Sequence, residues 1–130
     1  MRRVLLHGSS EDAFDESIRV ARQLVDAFGA ELHVVYTVDE PLSAGWTAET
    51  TPDRLPELHQ AIETEARERL ARAFGDRAGD IVIAIRTGDA SRELVRYTAE
   101  NAVDLAIVQD GDAQARGLIA HGRCSVLLLR

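Results

Sequence analysis

Short apolar runs alternate with longer segments of helical period along the chain, and this alternation limits the fold more than any other feature. Successive strand–helix units of this kind build a parallel sheet that is covered by helices on both faces. The predicted strands are 3–7, 30–38, 80–87, 104–109 and 124–130. The pattern therefore predicts an open α/β fold, and we expect residues 1–130 to form a single domain.

Four helices are predicted between these strands, at 11–28, 54–75, 90–102 and, as a short helix, within 112–123. In the first helix, apolar residues recur at steps of three and four, so one stripe should be buried. This stripe consists of Phe14, Ile18, Ala21, Val25 and Phe28. Gly29 is a typical helix stop, and Ser9 or Ser10 is expected to cap the first turn.

Charge and cysteine content exclude several classes of protein. The chain has 22 acidic and 15 basic residues, a net charge of -7, which disfavours a nucleic-acid partner because phosphate backbones are bound by clusters of Lys and Arg. All the basic residues are Arg, so no lysine is present for a Schiff base or a P-loop. The single cysteine, Cys124, cannot form an internal disulfide.

Since the opening residues lack a signal-peptide pattern and no apolar run reaches membrane-spanning length, we expect a cytoplasmic protein without a membrane partner.

Three segments carry a recognisable pattern: VLLHGSS at 4–10, TGDASRELVRYTAENAVDLAIV at 87–108 and HGRCSVLLLR at 121–130. They resemble the first strand and its turn, the region from the third to the fourth strand, and the last strand of the universal stress protein family. The resemblance implies a Rossmann-like fold of the adenine nucleotide alpha hydrolase type, with strand order 3-2-1-4-5. It also implies a ligand cleft between strands one and four, where the order reverses.

The sequence departs from the family where ATP is bound. ATP-binding members carry G-x2-G-x9-G-S/T after strand four, because glycines let backbone N–H groups surround the phosphates. Counted from Gly111, the second and third glycine positions are Gln114 and Cys124 here. His7 stands where the family has an aspartate before Gly-Ser. We therefore expect a stress-response binding module that does not hold ATP in the family manner, has no cofactor and is not an enzyme.

Two other functions stay open. The first is a nucleotide-binding switch or weak hydrolase that takes AMP, or ATP with Mg²⁺, in the cleft. For it, the resemblance implies contacts at Gly8, Ser9, Ser10, Thr37, Val38 and Gly111. The second is a divalent-cation site formed by His7, Asp110 and Asp112. Acidic residues at helix starts more often complement the helix dipole, which argues against the metal site.

The last strand is apolar and lies at an edge of the implied sheet. A bare edge strand can pair with another chain, and many members of the family form dimers through this strand. We therefore expect a homodimer, with an interface made by Ser125, Val126, Leu127, Leu128 and Leu129. The sequence predicts no particular partner protein.

Overall fold

The computed structural model describes residues 1–9, 11–38, 55–109 and 113–130. The strands are β1 (Arg3–His7), β2 (Glu31–Val38), β3 (Val82–Thr87), β4 (Leu105–Gln109) and β5 (Ser125–Leu129). The helices are α1 (Ala13–Phe28), α2 (Leu55–Phe74), α3 (Ala90–Glu100) and α4 (Gln114–His121), and a 3₁₀ helix (Gly75–Asp80) follows α2. All neighbouring strands are parallel and their order is β3-β2-β1-β4-β5, so the predicted fold and strand order are confirmed.

The sheet separates two apolar layers. On one face, Leu6 belongs to a cluster with Phe14 of α1 and Leu70 of α2. On the other face, Leu5 belongs to a cluster with Leu94 of α3 and with α4. Because successive strand residues point to opposite faces, both faces need apolar side chains, which explains the continuous apolar runs in the sequence.

The start of α1 differs from the prediction. The N-cap residue is Asp12, whose side chain forms no capping hydrogen bond. The Ser9 hydroxyl instead accepts a hydrogen bond from the N–H of Glu11 at 3.0 Å. The predicted capping by Ser9 is therefore wrong, because its hydroxyl is used in the turn that precedes the helix. Ser10 lies outside the described residues.

The end of α1 is less buried than its apolar pattern predicts. Phe28 continues the stripe but is 56% exposed, so the helix extends past the apolar surface that it covers. Gly29 has a φ of 64°, and its N–H donates to the carbonyl of Val25. The predicted stop at Gly29 is confirmed, whereas the predicted burial of Phe28 is wrong.

A buried polar group connects β2 to α3. His33 is 5% exposed, its Nδ1 lies 2.6 Å from the Tyr97 hydroxyl, and its Nε2 contacts the Glu31 carboxylate. Each ring nitrogen thus has a partner, as buried polar atoms require. Because the Glu31 carboxylate can only accept, Nε2 carries the hydrogen of the neutral ring and Nδ1 accepts from the Tyr97 hydroxyl. Burial raises the pKa of Tyr97.

No helix in the described ranges is long and apolar enough to cross a membrane. The cytoplasmic location stays a prediction.

Candidate functional site

The carboxyl ends of β1 and β2 bring two predicted site residues together. The Nε2 atom of His7 lies 3.2 Å from Oγ1 of Thr37. By strand alternation both side chains point toward the α3 layer, since Leu5 and Val35 on the same strands belong to that layer. The sequence analysis assigned His7 to a metal site and Thr37 to a nucleotide site, and the structure places both in one polar pair.

Gly8 follows β1 at a point where the chain is closely packed. Its N–H donates to the Val35 carbonyl at 2.8 Å, and a Cβ added to Gly8 would lie 2.6 Å from the Tyr36 ring. That ring packs edge-on against Phe14, with 6.1 Å between the ring centroids. Burial, helped by the nearby Glu65, raises the pKa of Tyr36 to about 12. The space beside Gly8 on the α1 and α2 face is therefore filled by an uncharged aromatic side chain.

Gln109 is a residue of this edge that the sequence analysis missed. It ends β4, next to the point where the strand order reverses. Its amide donates to the Ala13 carbonyl at 3.3 Å and also contacts the Ser17 hydroxyl. The amide thus connects the end of β4 to the first turn of α1. Gln109 could have been predicted as a site residue, because it is a polar residue at the end of a strand beside the point where the strand order reverses.

Arg69 of α2 brings a positive charge to the start of α1. Its Nη1 donates to the Glu11 carbonyl at 2.9 Å, and its guanidinium lies 3.6 Å from Asp15 and 3.4 Å from Glu65. The guanidinium carbon is 5.8 Å from the centroid of the Phe14 ring. Arg69 is therefore engaged with groups of its own chain.

A second polar pair lies at the end of β3. Thr87 Oγ1 is 3.3 Å from Nε2 of His59 on α2. Thr87 is in register with Val38, which is buried, and the Val38 carbonyl accepts a hydrogen bond from the N–H of Gly88. The approach of His59 to Thr87 depends on how α2 crosses the sheet, which the sequence pattern does not specify.

Several predicted site residues lie outside the described residues, namely Ser10, Asp110, Gly111 and Asp112. The phosphate contact at Gly111 and the cation site with His7 therefore stay predictions. Within the ranges that the structure describes, no three His, Cys, Asp or Glu side chains are placed to hold a metal ion.

The predicted dimer residues lie together along β5, which is the outer strand beside β4 in the described sheet. Leu127 and Leu129 pack toward the α1 and α2 layer, and Val126 packs toward the α3 and α4 layer. Ser125 is exposed, and Leu128 is 42% exposed. The edge is therefore apolar and partly open to solvent.

The family model of the universal stress protein family matches residues 1–130. The chain belongs to this family. Comparison with curated protein sequences gave no match.

Solved universal stress proteins share the fold at low sequence identity. One solved in complex with cAMP is 18% identical, with a TM-score of 0.74, and the match covers 99% of this chain and 97% of that one. The universal stress protein UspA from Lactobacillus plantarum is 20% identical, with a TM-score of 0.70 and coverages of 99% and 97%. One from Archaeoglobus fulgidus, solved with dAMP, is 12% identical, with a TM-score of 0.69 and coverages of 100% and 98%.

The phosphate-loop motif of ATP-binding universal stress proteins falls after β4. The motif's second glycine position is Gln114, the first residue of α4, and its third is Cys124. Cys124 is half-buried and packs against the α3 and α4 layer, and burial raises the pKa of its thiol. A side chain held in this way does not form a glycine cradle.

Proposed function

We propose that this universal stress protein is a non-catalytic, dimeric binding module that pairs through β5 and does not hold ATP by the family's phosphate loop. One observation carries the proposal: the outer strand β5 presents apolar side chains that its own chain covers only in part. Leu128 is 42% exposed there, and Val126, Leu127 and Leu129 are partly buried. Such a strand can pair with a strand of a second chain, because its outer backbone groups then form hydrogen bonds and its apolar side chains are then buried.

The neighbouring helix extends this apolar edge. Ile119 of α4 is 60% exposed, and α4 packs against both α3 and β5. Gly117, two residues earlier, is in close contact with Ser91 of α3. Ile119 is offset from Gly117 by about 200° around the helix, so it faces away from α3 and toward the β5 side. A partner chain at β5 would therefore cover Ile119 together with Leu128.

The dimer is tested by measuring the mass of the purified protein with light scattering at micromolar concentration. We expect twice the chain mass, and Leu128→Lys should shift the protein to monomer by placing a charge in the interface. Val82→Lys is the matched control, because Val82 lies on the opposite edge strand β3 and is 38% exposed. A monomeric wild-type protein, or equal effects of the two lysines, would refute the assignment to β5. Val126→Lys is less suitable, since Val126 packs against the core and its loss would damage the fold.

The statement about ATP is tested by calorimetric titration of Mg²⁺-ATP into the protein. We expect no binding heat, because the motif positions Gln114 and Cys124 offer no glycine cradle. Binding at micromolar strength would refute this part of the proposal.

A second candidate function is a switch that binds a smaller nucleotide at the carboxyl edge. It is favoured by the pairing of His7 with Thr37 at 3.2 Å, and by the complexes of two structural neighbours with cAMP and dAMP. For this candidate the family resemblance implies a base near Thr37 and Val38, with phosphates near Gly8, Ser9 and Gly111. A monophosphate needs fewer N–H donors than a triphosphate, so it depends less on the lost loop.

The same calorimeter distinguishes this candidate by titration with AMP and cAMP. Saturable heat with a monophosphate and none with ATP would support it. Thr37→Val should then weaken binding severalfold. Thr64→Val on the exposed side of α2 should not, because among the described residues its hydroxyl bonds only to the Gln60 carbonyl. Absence of heat with all three nucleotides would leave the binding module as the function.

A further inference from the structure

A cavity lies at the opposite, amino-terminal edge of the sheet. It has a volume of about 360 Å³ and lies between the ends of α1 and α2 and the starts of β2 and β3. Its apolar lining includes Val25, Leu32, Phe74 and Ile81, the last three of which are no more than 6% exposed. A cavity of this size with an apolar floor falls in the range of sites that bind small molecules.

The rim of this cavity carries three charged residues: Glu31, Arg77 and Asp80. The only positive one, Arg77, is already engaged, because its guanidinium pairs with Asp26 and lies 5.6 Å from the centroid of the Phe74 ring. The Arg77 guanidinium also holds the pKa of the Asp26 carboxyl below its usual range. An anionic ligand would have to compete with that carboxylate for Arg77.

The two rim carboxylates are in different situations. Glu31 contacts Nε2 of His33 and lies 4.0 Å from Nε of Arg3. Asp80 is exposed and forms no ion pair or side-chain hydrogen bond with the residues that the structure describes. Asp80 is therefore available to a ligand from solvent.

We propose that this cavity is a binding site for small organic cations, with an aromatic or branched aliphatic body on the apolar floor and an ammonium group at Asp80. The apolar part gains from burial against Leu32, Phe74 and Ile81. The ammonium group gains from Asp80 and, more weakly, from Glu31. The net charge of -7 adds a general attraction for cations and disfavours anions.

This site is independent of the function proposed above. The candidate nucleotide residues lie at the carboxyl ends of β1 and β2, whereas the cavity lies where β2 and β3 begin. The β5 edge is separated from β2 and β3 by β1 and β4. A monomeric protein, or one that binds no nucleotide, would therefore not contradict the cavity proposal. An empty cavity would likewise not contradict the function proposed above.

The test is an NMR titration of the ¹⁵N-labelled protein with three probes of similar shape: phenethylamine, 2-phenylethanol and 3-phenylpropanoate. We expect saturable shifts for phenethylamine that centre on the backbone amides of Leu32, Asp80 and Ile81. The neutral alcohol should bind about threefold to fivefold more weakly, which is the size of an exposed ion pair, and the carboxylate more weakly still. Failure of phenethylamine to bind, shifts centred elsewhere, or equal binding of all three probes would overturn the proposal.

A matched pair of variants tests the role of the carboxylate. Asp80→Asn should reduce the affinity for phenethylamine most of the way to that for the alcohol, because only the weaker attraction to Glu31 is left, and it should leave the affinity for the alcohol unchanged. Asp76→Asn is the control, because Asp76 is an exposed aspartate of the same 3₁₀ helix that does not line the cavity. An unchanged affinity for phenethylamine in Asp80→Asn, or an equal loss in both variants, would overturn the assignment to Asp80. The alcohol titration also reports whether Asp80→Asn keeps the cavity folded.

Discussion

The two ends of the sheet are formed by the same strands but differ in how their polar groups are used. At the carboxyl edge, side chains pair across elements: His7 with Thr37, and Thr87 with His59. At the amino edge, the carboxylate of Asp104 accepts hydrogen bonds from two backbone N–H groups at the start of the chain. The carboxyl edge thus carries two His–Thr side-chain pairs, whereas at the amino edge one carboxylate binds the main chain where β1 begins.

The space around the backbone also differs between Gly8 at the carboxyl edge and Gly79 near the amino edge. At the carboxyl edge, Gly8 lies against the Tyr36 ring, whereas Gly79 near the amino edge has no atom within 4 Å of an added Cβ. Gly8 lies at the edge where the family resemblance predicts a ligand. The comparison teaches that side-chain volume is limited beside Gly8, while the amino edge has room for a further molecule in the cavity near Asp80. The amino edge is closely packed elsewhere, because a Cβ added to Gly122 would lie 2.5 Å from the Leu118 carbonyl oxygen.

The largest effect is expected for Gly8→Ala. The new methyl group would lie 2.6 Å from the Tyr36 ring, which is held by Phe14, so the ring has to shift. We expect the free energy of unfolding to fall by about 1–3 kcal/mol, as for other overpacked sites, measured by urea denaturation. Gly79→Ala is the control and should change this free energy by no more than about 0.5 kcal/mol. Equal values for the two variants would show that packing does not distinguish the two edges.

The second prediction compares the two tyrosines. Tyr97→Phe removes the hydroxyl that lies 2.6 Å from Nδ1 of buried His33, and an unsatisfied buried acceptor costs about 1–2 kcal/mol. Tyr36→Phe is the control, because the Tyr36 hydroxyl forms no hydrogen bond with the residues that the structure describes. We expect a clear loss of unfolding free energy only for Tyr97→Phe. A similar loss in both variants would mean that the contact with His33 contributes no specific stability.

The sequence predicted the architecture well because its signals are local and periodic. Apolar runs such as the one around Leu5 and Leu6 identify strands that are buried on both faces. Gly29 identifies the end of α1, since its φ of 64° is one that glycine adopts easily. The strand order came from the family resemblance, because periodicity alone does not specify which strands are neighbours.

The candidate site was predicted only in part, because its contacts join residues that are far apart in sequence. His59 and Thr87 are 28 positions apart, and Gln109 and Ser17 are 92 apart. Such contacts depend on where helices cross the sheet, and helical periodicity does not fix that crossing. The cavity near Asp80 was missed for the same reason, since it depends on where α1 and α2 end relative to β2 and β3.

The smallest effect is expected for Asp104→Asn at the amino edge. Hydrogen bonds from the backbone N–H groups of Arg3 and Arg2 lower the pKa of Asp104. A lowered pKa means that this stabilisation is present above the ordinary aspartate pKa near 4 and is lost as the pH falls through the lowered value. At pH 7 the variant should therefore melt below the wild type, by less than Tyr97→Phe does.

The pH dependence of this difference separates the charge of Asp104 from its shape. Asparagine keeps an oxygen that accepts hydrogen bonds but has no charge. The difference in melting temperature between Asp104→Asn and the wild type should thus shrink as the pH is lowered from 7 to about 3, because the wild-type carboxylate becomes protonated. Asp76→Asn should melt like the wild type throughout, because Asp76 is exposed and its carboxylate accepts no backbone hydrogen bond from the part of the chain that the structure describes. If the difference in melting temperature stays constant with pH, the charge of the Asp104 carboxylate does not contribute to stability, and the variant is destabilised by the changed hydrogen-bonding group alone.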